Sequence, residues 1–363
     1  MALKVGLIGC GNISGIYLKN SQRFSAFDIV ACADVNEARA REVADSYGIE
    51  QMTTTDLLSS PKIDVILNLT VPHAHAEVIL QAIEQKKHVY TEKPLSVSFE
   101  DGKRILEAAK LKNVYVGSAP DTFLGGSIQL AGSLLEQGII GKPVGATAFM
   151  MSRGPESWHP NPEFFYQVGG GPMYDMGPYY ITALVSLLGS VKRIAGSTKI
   201  SFPTRMKTSE ANYGETFKVD VPTHVSGMVD FASGATSTIT TSFDVAASRT
   251  PFIEIYGEKG TISLPDPNHF NQPLLLKVHG EKEWNELKPA GDADDNLRGI
   301  GLADMVEAIQ NESEARASGQ LALHVLEVMH GIHQSSEQSR HYEMETTCVK
   351  PLLLKSKYIN TEE

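Results

Sequence analysis

The stretch Val5-Gly6-Leu7-Ile8-Gly9-Cys10-Gly11-Asn12-Ile13-Ser14 decides the fold. Its first four residues read as a short buried strand, Gly9-x-Gly11 permits a tight turn, and a helix pattern follows. Glycines let a backbone approach a pyrophosphate, and the start of the next helix offers N–H groups and the positive end of a dipole. Ser14 stands where a third glycine is usual, and a glycine turn alone is weak evidence. Context supplies the rest. Asp34 ends the second strand, 23 residues after Gly11, where a carboxylate accepts from ribose hydroxyls and repels a 2′-phosphate. Gly9, Gly11, Asn12, Ile13 and Asp34 are therefore expected to bind a dinucleotide, NAD in preference to NADP.

The same alternation runs on through the first third of the chain. Ile29-Val30-Ala31-Cys32, Val65-Ile66-Leu67-Asn68, Val89-Tyr90 and Val114-Tyr115-Val116 read as strands, with a weaker candidate at 49–53. Helix-period segments fall near 13–24, 36–47, 74–86 and 98–112. This is the pattern of a parallel sheet covered by crossover helices, which binds ligands at the carboxyl ends of its strands. Thr70, Pro72 and His75 follow one such end and are expected to face the cofactor. His88-Val89-Tyr90-Thr91 delivers Glu92, Lys93 and Pro94 to another. Taken alone, Glu92 and Lys93 read first as a solvated surface turn; at the edge of a nucleotide-binding sheet they are expected to bind the cofactor. His73 and His75 lack the companions a metal site needs, so no metal is expected.

At 363 residues the chain exceeds the size at which single cores stop growing. Two domains are expected: 1–120 for the dinucleotide, and 121–363 for substrate binding and oligomerisation. Hydrophobic residues at 42% and charged residues at 21% fit a globular protein. A net charge of −11 argues against nucleic acid or anionic lipid as partners, because both need clustered Lys and Arg. No apolar run approaches the roughly 20 residues of a membrane span. The three cysteines show no paired or metal spacing, so a reducing, cytoplasmic setting is expected.

Composition changes at Ser118-Ala119-Pro120-Asp121-Thr122. Beyond a helix at 123–137, strands at 144–150, 191–200, 223–231, 235–243, 252–256 and 261–264 imply an α+β domain built on a large, mainly antiparallel open sheet. Helices at 302–309 and 321–332 read as structural. The richest stretch runs from Glu156-Ser157-Trp158-His159 through Gly169-Gly170-Gly171 to Asp175 and Tyr179. Pro178 belongs in a first helical turn, so a helix is expected to start near Asp175. Asp175 and Tyr179 would then share one face, with the carboxylate near the positive dipole end. Asp175 as a plain cap and Tyr179 as a core aromatic are the alternative. The three glycines suggest close approach of backbone to a ligand. An uncovered sheet face is expected to be buried in a homodimer or homotetramer.

Gly9-x-Gly11, Asp34, Pro72-x-x-His75, Glu92-Lys93-Pro94 and Gly170-Gly171…Asp175-x-Gly177-x-Tyr179 occur in the order seen in the Gfo/Idh/MocA oxidoreductases. Over most of its length the chain resembles that family. The resemblance implies an α/β protein with an N-terminal Rossmann domain, a C-terminal open-sheet α+β domain, an active site between them and Lys93 as a catalytic residue. Many members carry histidine where this chain has Tyr179. A tyrosine there is similar to the branch containing glucose-fructose oxidoreductase and dimeric dihydrodiol dehydrogenase. Val71 replaces a common proline, a minor departure.

A tyrosine phenol ionises near pH 10, and a nearby ammonium favours the phenolate. Tyr179 is accordingly expected to move the alcohol proton, aided by Lys93, while Asp175 orients substrate or Lys93. The family handles mainly sugars, cyclitols and polyols. Asp121, Trp158 and His159 are expected to line such a pocket, with Trp158 read equally as a packing residue. A dinucleotide-binding regulator without turnover, or an enzyme that recycles tightly held NAD, are the competing readings.

Overall fold

A computed structural model describes residues 2–354. The end of the expected second domain, 355–363, lies outside the described residues. The described residues form two compact units: 2–124 with Asn296–Leu323, and Gly125–Asp295 with 324–354. The chain thus returns to its first unit late in the sequence. Among the described residues no helix is long and apolar enough to cross a membrane.

The first unit runs β1 (Leu3–Ile8), α1 (Ser14–Ser21), β2 (Phe27–Ala33), α2 (Glu37–Tyr47), β3 (Glu50–Gln51), α3 (Thr54–Ser59), β4 (Val65–Asn68), α4 (His75–Glu84), β5 (His88–Thr91), α5 (Phe99–Lys112) and β6 (Val116–Ser118). The described strands pair in parallel in the order β3-β2-β1-β4-β5-β6. Strand order therefore reverses between β1 and β4, the switch point where open α/β sheets bind ligands. Val5, Leu7, Val65, Ile66, Leu67 and Val89 are fully buried, as strands covered on both faces require.

Local chemistry sets the boundaries. The Asn36 side chain accepts from the Arg39 N–H to start α2, and the Ser98 side chain accepts from the Asp101 N–H to start α5. Asn113, left-handed at φ 54°, ends α5, and the Val114 N–H bonds back to the Ala109 carbonyl at 3.0 Å. Val114 is thus spent on the helix end. For that reason β6 begins at Val116, two residues after the strand expected from the sequence.

The second unit begins with α6 (Gly126–Glu136) and β7 (Pro143–Met151), then α7 (Gly171–Asp175) and α8 (Gly177–Leu188). There follow β8 (Val191–Lys199), β9 (Thr204–Met206), β10 (Thr216–Lys218), β11 (His224–Phe231), β12 (Thr236–Ser242), β13 (Ile253–Gly257), β14 (Gly260–Leu264), β15 (Leu274–Val278) and β16 (Asn285–Leu287). After α9 (Ile300–Gln310) in the first unit come α10 (Gly319–Gln338) and β17 (Tyr342–Glu343). The nine described strands of the large sheet run β16-β15-β14-β13-β7-β12-β11-β8-β17. All its pairs are antiparallel except β7 with β12. Every residue of α8 is buried, and the helix packs on α6 and β7.

Candidate active site

Within the first unit, the glycine turn is shaped by two different needs. Gly9 has φ +102°, and a Cβ there would lie 2.6 Å from the Leu69 carbonyl carbon and oxygen, so only glycine fits. At Gly11 an added Cβ would meet nothing within 4 Å. That glycine leaves space, which close approach of a pyrophosphate needs. Ile13 caps α1 without a side-chain hydrogen bond, leaving the helix start to a ligand. Ser14, in the third-glycine position, turns its hydroxyl onto the Gly11 carbonyl at 2.7 Å.

Asp34 is fixed beside this turn. Its Oδ2 accepts from the Cys10 N–H and its Oδ1 from the Asn36 N–H, both at 2.7 Å. With Glu37, Glu50 and Asp56 it lines a cleft of about 530 Å³. An open cradle at Gly11, a helix start without a side-chain cap and a carboxylate at the end of β2 together fit a dinucleotide.

The neighbouring strand ends form one hydrogen-bonded cluster. Buried Asn68 donates to Thr91 Oγ1 at 3.1 Å and accepts from the Thr70 hydroxyl at 2.7 Å. The Glu92 N–H reaches the Asn68 carbonyl at 2.8 Å. Glu92 Oε1 accepts from the Tyr17 hydroxyl at 3.0 Å, and Oε2 from the Lys93 N–H at 2.9 Å. On the far side of Lys93, the two ring nitrogens of His75 lie 2.6 Å from the Pro94 carbonyl oxygen and 3.0 Å from that of Thr70. The Lys93–Pro94 peptide is cis. The Lys93 backbone is therefore gripped from both neighbours.

These contacts give His75, Glu92 and Asp121 partners inside the first unit. His75 is fully buried, its ring lying between the Pro94 and Thr70 carbonyls. Burial pushes its pKa below the ordinary imidazole value, opposed by the Pro94 and Thr70 carbonyls. Glu92 spends both oxygens inside the unit. Asp121 is 1% exposed, and its Oδ2 accepts from the Gly299 and Gly301 N–H groups at 2.9 and 3.1 Å. It anchors the start of α9. Burial pushes its pKa up to about 6.

In the second unit a break separates Asp175 from Tyr179. Asp175 is the last residue of α7, the Met176 N–H closes that helix on the Pro172 carbonyl, and α8 begins at Gly177-Pro178. The expected single helix with Asp175 near its positive end is corrected accordingly: proline's missing N–H lets a new helix start there. Asp175 is half-buried and Tyr179 is 7% exposed. The glycines before α7 also have a local reason. A Cβ at Gly170 would lie 2.6 Å from the Phe165 carbonyl oxygen, and Gly171 has φ +82°. Trp158 is 66% exposed, its ring 5.6 Å from that of His159.

Two models of known protein families match, an NAD-binding Rossmann oxidoreductase family over residues 3–119 and the GFO/IDH/MocA C-terminal domain over 128–263. The chain belongs to the GFO/IDH/MocA oxidoreductase family. Among its relatives in this family, myo-inositol 2-dehydrogenase of Thermotoga maritima is 27% identical over 262 residues, 72% of this chain and 74% of that protein. The 1,5-anhydro-D-fructose reductase of Ensifer adhaerens is 25% identical over 324 residues, 87% of this chain and 90% of its own. An NAD binding oxidoreductase from Klebsiella pneumoniae superposes with a TM-score of 0.82 at 23% identity, covering 94% of this chain and 99% of that one. A levoglucosan dehydrogenase in complex with NADH and levoglucosan gives 0.80 at 21%, covering 95% and 100%. The two structural likenesses bear on the fold.

Sequence reasoning missed two buried polar centres in this GFO/IDH/MocA chain. Tyr17 reads as an ordinary core aromatic, although Asn20, one turn on, is a second buried polar residue on the same helix. Arg205 donates to Glu156, to Asp244 at 2.6 Å and to the Arg153 and Phe243 carbonyls, anchoring the segment that carries Trp158 and His159. A lone arginine within the three-residue strand β9 gives no such signal.

Proposed function

We propose that this chain transfers a hydride between a nicotinamide cofactor and a hydroxyl-bearing carbon of a sugar, cyclitol or related polyol. The observation that carries this reading is the Thr91–Pro94 turn, which holds the Lys93 backbone at the carboxyl edge of the sheet that also carries the glycine turn, two strands away. Relatives that act on inositol, anhydrofructose and levoglucosan support the substrate class. The bound nicotinamide supplies the hydride donor or acceptor.

The remaining work falls to side chains. Tyr179 holds the transferred proton on its phenol oxygen, taking it from an alcohol or returning it to a ketone. Lys93 supplies the positive charge that favours the phenolate. Asp175 orients the hydroxyls of the substrate, and Trp158 and His159 offer ring faces and a polar edge to a sugar. Asp34 favours NAD over NADP, because the acidic cleft around it opposes a 2′-phosphate.

NADH formation over a panel of aldoses, inositols and diols tests the reading. Turnover of at least one polyol is expected, and Lys93→Ala should lower kcat by about 10²-fold or more while NAD still binds. Flat traces with every polyol, despite measurable NAD binding, would replace it with a dinucleotide sensor.

A further inference from the structure

Glu92 is only 9% exposed, and both of its oxygens are taken inside the first unit. One donor is the backbone of Lys93. The other is the hydroxyl of Tyr17, which is 1% exposed and lies one turn into α1, the helix that opens from the glycine turn. Two hydrogen bonds therefore lead from that helix to Lys93. A phenylalanine would fill the same core volume, whereas a buried hydroxyl is costly unless it is bonded.

The rest of α1 is seated firmly. Asn20 donates from Nδ2 to the Asn296 and Arg298 carbonyls at 2.7 and 2.9 Å. Gly299 leaves so little room beside α1 that a Cβ there would stand 3.3 Å from the Phe24 ring and 3.8 Å from that of Tyr17. The phenol is also a permanent donor, since burial and then the Glu92 charge hold its pKa well above the ordinary value.

We propose that Tyr17 is a positioning residue for the reaction: through Glu92 it sets the backbone of Lys93 according to the seat of the dinucleotide-binding helix. A dinucleotide that settles on the start of α1 is then felt at Lys93 without touching it. The proposal rests on the role given to Lys93 above.

Tyr17→Phe and Glu92→Gln in the full chain test it, with three readouts. NAD affinity by calorimetry should stay within about threefold of wild type in Tyr17→Phe, while kcat falls about tenfold with KM little changed. Acetylation of Lys93 by acetic anhydride, measured by mass spectrometry against exposed Lys110, should become about threefold faster as the turn loosens. The double variant should be no worse than the more severe single one, because both changes break one chain of bonds. A Tyr17→Phe protein with wild-type Lys93 acetylation and wild-type kcat overturns the proposal, even if its melting temperature drops. Should no polyol be turned over, the functional reading fails and the acetylation readout still decides this one.

Discussion

One ring nitrogen of His75 stands 2.6 Å from the Pro94 carbonyl oxygen, while the other reaches Thr70. One side chain thus clamps the loops after β4 and β5. A neutral imidazole carries one N–H and donates to one of these carbonyls, so His75→Ala removes that bond and opens a cavity, and a buried acceptor left unsatisfied costs about 1–3 kcal/mol. A loss of roughly 2–4 kcal/mol is expected in urea unfolding. Turnover should fall as well, since Lys93 is next to Pro94.

The two glycines of the first turn should answer differently to the same small change. Gly9→Ala meets the Leu69 backbone and a positive φ, so it should unfold at distinctly lower urea. Gly11→Ala meets nothing within 4 Å and should keep wild-type stability while weakening NAD binding about tenfold or more. Urea unfolding beside calorimetric titration with NAD separates them. Equal stability losses would refute the distinction.

His324 predicts an acid limb in stability. The Val191 N–H donates to its Nε2 at 2.9 Å, which places the ring proton on Nδ1, facing Thr346 Oγ1 at 2.8 Å. Burial pushes its pKa down to about 4 from 6.5. Because the folded value lies below the unfolded one, its contribution is present above pH 6.5 and is lost as pH falls from there towards 4. The full effect is about 3 kcal/mol. His324→Asn keeps an acceptor for Val191 and should flatten the dependence of the urea midpoint on pH across that window.

Asp121 has the opposite sign. Burial raises its pKa from 3.8 to about 6, so the stability tied to its protonated form is present below 3.8 and is lost as pH rises through 6. Asp121→Asn removes that slope. The stability of wild type relative to the variant should therefore fall between about pH 4 and 6 in urea titrations at fixed salt.

The first unit was legible where pattern and chemistry coincide. Val65–Asn68 was read to the residue because a parallel strand buried on both faces is apolar throughout. The six-residue α3 was missed, being too short to show a period, and β15 and the edge strand β16 carry no alternation that sets them apart from loop. At the strand ends, the partners of the acids were not legible. Glu92 and Asp121 look like ligand groups at strand ends until Tyr17, Gly299 and Gly301 arrive from distant parts of the chain. Asp175 and Tyr179 sit at helical spacing, yet Gly177-Pro178 starts a new helix between them.

Ser318 bridges to Gly117, and α9 closes on Asp121 only through residues beyond 295. On the ribosome, the nucleotide-binding unit is therefore host to a guest: all of Gly125–Asp295 must be synthesised before its last pieces exist. The guest has its own delay, since β7 waits for β12 and β13 to pair on either side of it. Newly made chain thus completes its nucleotide-binding unit only after Gly125–Asp295 has been translated.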